Sequence, residues 1–115
     1  MVSDHTKSTR VAHGLDEERL LKEIEEIDKL NKKLSGSGLR LLKASECDIR
    51  TDGKMDMPDE ILSKLDIVLA AVHAGFKQSK EQITERILAA IENPYVNILV
   101  HPTGRLISQR EAYEM

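Results

Sequence analysis

Apolar residues recur along the chain at two different spacings, and the alternation between them predicts its elements. Leu20, Leu21, Ile24, Ile27, Leu30 and Leu34 fall three or four apart, the period of one helix face. Asp16 is placed to cap that helix, Glu17 and Glu18 put acids in its first turn, and Lys32 and Lys33 put bases in its last. Gly36 and Gly38 stop it. Leu39 to Ser45 then reads as a strand, and Thr51-Asp52-Gly53-Lys54 as a turn. Pro58 suits the first turn of a short helix carrying Ile61, Leu62 and Leu65. The nearly unbroken apolar run Asp66 to Val72 has the pattern of a strand buried on both faces. Ser79-Lys80-Glu81-Gln82 forms a capping box ahead of the helix stripe Ile83, Ile87, Leu88 and Ile91, which Asn93-Pro94 ends. Val96 to Val100 predicts another strand, and Ser108-Gln109-Arg110-Glu111 a capping box opening a last helix that runs to Met115.

Strand and helix therefore alternate from end to end, the signature of an α/β fold with parallel strands and right-handed crossovers. A closed eight-stranded α/β barrel takes roughly 200 to 250 residues. With 115 residues the chain holds about half of that, so the expectation is an incomplete set of β/α units of such a barrel, a single partial domain over 1–115 with both ends reading as truncated. Open sheet edges in such a piece invite self-association.

Composition narrows the setting. No apolar run approaches the roughly 18 residues of a membrane-spanning helix, and the first residues lack the regions of a signal peptide. The single cysteine, Cys47, excludes an internal disulfide and fits a reducing cytoplasm. Twenty acids against seventeen bases give a net charge of −3, which argues against bulk electrostatic attraction to nucleic acid while leaving room for a local basic patch. Nothing matches a phosphate-binding P-loop, a dinucleotide fingerprint, paired zinc cysteines or a serine-hydrolase elbow.

The chemistry is expected at the C-terminal ends of the strands, where parallel α/β folds gather functional side chains. Those ends carry Asp4-His5, Glu46, His73 and His101. The steps from Glu46 to His73 and from His73 to His101 are 27 and 28 residues, about one strand-helix unit each. Histidines and a carboxylate meeting on one rim make a site for Mn²⁺, Zn²⁺ or Fe²⁺. Asp4 reads either as a turn cap or as a partner orienting His5. Asp48 shares the strand face of Glu46 but reads more simply as a solvated acid, and Cys47, pointing the other way, as core. Lys7, Lys77 and Arg105 follow the strand ends and bring positive charge suited to a phosphate group.

These motifs resemble those of the PHP (polymerase and histidinol phosphatase) domain: Ser3-Asp4-His5, Ala44-Ser45-Glu46-Cys47-Asp48-Ile49, Ala71-Val72-His73-Ala74-Gly75-Phe76 and Val100-His101-Pro102-Thr103-Gly104-Arg105. His5 to Ser8, Val11 to Glu18 and Ile91 to Val96 are similar to the bacterial and archaeal DNA polymerase X branch. The resemblance implies a distorted seven-stranded (β/α) barrel with up to three divalent metals hydrolysing phosphoesters. By position, Glu46, His73 and His101 resemble the ligands of one metal, with Glu46 bridging to a second, and His5 a ligand of the third. It further implies Mn²⁺-dependent 3′-5′ exonuclease and 3′-phosphatase action on DNA ends in repair, beside a polymerase domain in the parent chain. The family's opening His-x-His and closing Asp-x-His have no counterpart here, so the resemblance implies an incomplete (β/α) barrel without its first and last strands, and one complete metal site at most. Two other outcomes stay open: a non-catalytic metal-binding fragment, and a small-molecule phosphatase of the histidinol phosphatase type.

Overall fold

The computed structural model describes residues 1–115. Four strands, β1 (Val2–His5), β2 (Lys43–Asp48), β3 (Ile67–Ala71) and β4 (Ile98–Leu99), alternate with three helices, α1 (Glu17–Lys33), α2 (Asp59–Leu62) and α3 (Lys80–Glu92). All strand pairs are parallel, and the sheet order β1-β2-β3-β4 is the order of the chain. The sheet is open. No helix is long and apolar enough to cross a membrane.

The helices all pack against one face. Leu20 and Ile24 of α1, Ile61 and Leu62 of α2, and Ile83, Ile87 and Ala90 of α3 share a core with Cys47, Ile49, Val68, Ala70 and Val72. The alternation of side chains along a strand sends the intervening residues, Glu46 and Asp48 on β2 and Leu69 and Ala71 on β3, to the other face. Burial pushes the Cys47 thiol up to about 12, so it stays a neutral packing residue, as expected from its position.

Local signals account for most boundaries. Asp16 caps α1 by accepting the Arg19 N–H at 2.9 Å. At the start of α3 both halves of the Ser79/Gln82 capping box form. Three expectations are corrected. The strand expected at 39–45 begins only at Lys43 and runs on to Asp48. Both Leu41 backbone groups are taken by the Asn31 side chain, which holds that stretch outside the ladder. Pro58 stands just before α2 as its cap, and Leu65 lies beyond that helix. The last helix is absent: Ser108 has a left-handed φ of 63°, and Leu106 and Arg110 pair as an antiparallel bridge. Arg110 lies 3.6 Å over the Phe76 ring, which Tyr113 faces at 6.2 Å. Backbone bonds between Leu106 and Arg110 close 106–110 into a tight turn, and these tertiary contacts hold the residues around it, which leaves the capping motif unused.

Gly14 sets how closely the start of α1 approaches β1. Leu15 N–H donates to the His5 carbonyl at 2.7 Å, and a Cβ on Gly14 would stand 1.9 Å from the Thr6 carbonyl oxygen. Gly14→Ala is therefore expected to destabilise the fold by about 1–3 kcal/mol, read by urea denaturation. A variant as stable as the wild type would show that this approach is not tight.

Candidate metal centre

The sheet register builds the site. His5 stands opposite Glu46 on β2, and His73 follows β3 by two residues. Side-chain parity carries all three to the face away from the helices. There a single carboxylate oxygen, Glu46 Oε1, has three imidazoles around it: His101 Nε2 at 3.0 Å, His73 Nε2 at 3.1 Å and His5 Nε2 at 3.6 Å. Adjacent rings lie 5.2 Å (His5 and His73) and 5.1 Å (His73 and His101) apart. The ligand atoms of His5, Glu46 and His73 all lie within 4.8 Å of one another, a spacing that could hold one metal ion. His101 joins this set through Glu46, from a residue with a left-handed φ of 33°. The compact trio includes His5, for which the family resemblance implies a place beside a further metal.

The ring of His73 is held from behind. Its Nδ1 lies 3.3 Å from Asp48 Oδ1 and 3.1 Å from Thr9 Oγ1, and its backbone N–H donates to Asp48 Oδ1 at 3.0 Å. A proton kept on Nδ1 turns Nε2 toward Glu46, an orientation suited to metal binding. The hydrogen bond to Asp48 raises His73 above the ordinary imidazole value, against the opposing effect of burial. Asp48 is only 3% exposed, so its reading as a solvated acid is corrected. Its own backbone N–H donates to Thr6 Oγ1, whose hydroxyl donates to the buried carboxylate of Asp56. Asp56 also accepts the Ser8 N–H at 3.0 Å. The donor set, imidazoles and a carboxylate with one ring fixed by a second carboxylate, fits a divalent ion of the Zn²⁺, Mn²⁺ or Fe²⁺ kind.

Asp4 does not orient His5. It occupies the opposite side of β1, where it meets Glu23 of α1. Burial, reinforced by the neighbouring Asp4 carboxylate, raises Glu23 from 4.5 to about 7. Of the three expected phosphate-binding cations, Lys7 is engaged in an ion pair with Glu17. Lys77 is exposed on an open cleft of about 700 Å³ that Phe76, Gln82 and Arg110 also line. Arg105 is exposed in the loop after His101. Sequence reasoning missed Thr6, Thr9 and Asp56. A hydroxyl or acid in a loop carries no periodic signal, and only the fold shows which of them are buried.

Two titrations check these contacts. Replacing Asp48 by Asn removes the main cause of the raised His73 value, so the imidazole midpoint followed by NMR is expected to fall toward the ordinary value. An unchanged midpoint would exclude the hydrogen bond as its cause. Glu23 holds its proton more tightly in the folded chain than in the unfolded one, so its contribution to stability falls as pH rises from about 4.5 to about 7 and is flat above. Glu23→Gln is expected to remove that fall and to raise the melting temperature at pH 8 relative to pH 4.5, compared with the wild type in the same buffers. An identical pH profile in the two proteins would contradict the pairing with Asp4.

No family model matches the chain. Over 114 residues, 99% of its length, it is 42% identical to the DNA polymerase/3′-5′ exonuclease PolX of Bacillus subtilis. Over 69 residues it is 45% identical to a probable phosphatase of a Thermoanaerobacter species and 41% identical to one of Caldanaerobacter subterraneus, matches that take in 56% of the chain. It spans 20% of the length of the polymerase relative and 28% and 27% of the two phosphatases. The strand-end motifs and this relationship along nearly its whole length agree: the chain resembles one segment of a polymerase X protein, the part that carries the PHP-type motifs.

Proposed function

We propose that residues 1–115 are the central β/α units of a barrel-type PHP domain, and that this domain is a metal-dependent phosphoesterase acting on 3′ ends of DNA as exonuclease and phosphatase. The observation that carries the reading is the gathering of three imidazoles around one oxygen of Glu46, with His73 locked by Asp48. His5, Glu46, His73 and His101 would hold the ion. A divalent metal in such a site supplies the Lewis acidity that activates water and offsets charge on a phosphoryl group. The chain's own contribution is positional. Asp48 and Thr9 fix the His73 ring, and the carboxylate of Glu46 gives the three imidazoles a common focus. Lys77 and Arg105, exposed and outside any ion pair of the structure, are the cations suited to phosphate oxygens. Lys7 would first have to leave Glu17. A polymerase domain elsewhere in the parent chain would share the DNA substrate.

A small phosphate monoester is the second reading, favoured by the 41–45% identity to probable phosphatases across 56% of the chain. Phosphate release from a 3′-phosphorylated oligonucleotide with added Mn²⁺ tests the first. Glu46→Gln is expected to lower release by at least about 100-fold. Equal release by the variant would overturn the assignment of Glu46. Release from a small monoester but not from the oligonucleotide would establish the second reading. Metal binding without release from either would leave a non-catalytic metal-binding segment.

A further inference from the structure

Arg86 is a charged residue in the wrong place for a helix surface. It is 3% exposed and lies on the buried stripe of α3, between Ile83 and Ile87 on one side and Ala90 on the other. Buried charges are normally matched by an opposite charge in contact. Arg86 makes no ion pair. Its guanidinium donates instead to backbone carbonyls: Nε to the Ile49 carbonyl at 3.0 Å with Nη2 on the same oxygen, and Nη1 to the Ala74 carbonyl at 2.9 Å. Nη1 also donates to Gln78 Oε1 at 2.9 Å, and Gln78 Nε2 donates in turn to the Thr51 carbonyl at 3.0 Å.

The two carbonyls are not arbitrary. Ile49 directly follows Asp48, and Ala74 directly follows His73. We infer that Arg86 is a positioning residue of the metal centre, tying the peptide after Asp48 to the peptide after His73 so that the carboxylate of one stays against the imidazole of the other. The inference rests on the metal-binding reading of the site. It needs the planar fork of arginine, which spans two acceptors in fixed directions; a lysine ammonium at the same depth is a point charge on a flexible stem. Burial holds the Arg86 guanidinium below its ordinary value, and Asp48, Tyr113 and Asp52, acting through space, oppose that by favouring its charged form.

Arg86→Lys therefore keeps the charge but loses the spacing. In the folded variant Mn²⁺ affinity, measured by calorimetry, is expected to fall by about tenfold or more. The visible absorption of bound Co²⁺ should change shape, a signature of altered geometry that a loss of stability alone does not produce. Arg86→Lys binding Mn²⁺ with wild-type affinity and giving the wild-type Co²⁺ spectrum would overturn the inference. Absence of metal binding by the wild-type chain would instead overturn the metal-centre reading itself. A second measurement needs no substitution and covers a variant that fails to fold. In the wild type the Arg86 Nε–H resonance is expected to shift on Zn²⁺ addition, because its carbonyl partner follows Asp48 directly. A resonance unmoved at saturating Zn²⁺, with the His73 signals shifted, would equally overturn it.

Discussion

Asp48 is almost wholly buried, and its carboxylate accepts the backbone N–H of His73 while lying against the Nδ1 of the same residue. A buried carboxylate is costly unless its oxygens are occupied, and this one is occupied by the residue whose ring it aims. The requirement runs in both directions. The loop after β3 must return close enough to satisfy Asp48, and His73 is thereby held with Nε2 toward Glu46. Thr6 and Asp56 extend the same logic to the loop after β1, and Arg86 closes it from beneath by occupying the carbonyls that follow Asp48 and His73. The polar side of the sheet is thus a connected hydrogen-bonded body, and no buried side-chain polar atom is left without a partner.

The sheet supplies the frame. Parallel strands in sequential order bring each loop beside the loop of the previous unit, and the two-residue period of β2 sends Glu46 and Asp48 to one face and Cys47 to the other. Helices cover only the Cys47 face, so the cost of gathering titratable groups falls on the side free of helix packing. That separation lets a core of aliphatic and sulfur-containing side chains stand one strand thickness from a cluster of imidazoles and carboxylates.

Much of this was legible in the residues. The apolar periods located α1, β3 and α3, and their caps formed as read. Glu46, His73 and His101 stood out because one strand-helix unit separates each from the next. The rest depended on information that no short window holds. Asp48 had the parity of a site residue but the composition of a surface acid, and only the return of His73 decides between them. Arg86 fell on the period of Ile83, Ile87 and Ala90, a signal that was present and was masked by its charge. Asp4 shared a dipeptide with His5, yet strand alternation placed it across the sheet beside Glu23. The Ser108 capping motif failed for the opposite reason: its local preference was real, but the contacts of Arg110 and Tyr113 with Phe76 go with a tight turn from Leu106 to Arg110 in place of a helix.

The agreement between sheet order and chain order has a consequence for how the molecule is made. Each strand pairs with the one synthesised before it, so no strand waits for a distant partner and every crossover closes over a short stretch of sequence. As the chain leaves the ribosome, β1 and β2 can pair and bring His5 beside Glu46 before β3 exists. The return of His73 then satisfies Asp48, and His101 arrives last from the far edge. Strand order thus leaves open an assembly of the cluster from one side to the other, in which its carboxylates stay in water, where leaving them unpaired costs little, until His73 emerges.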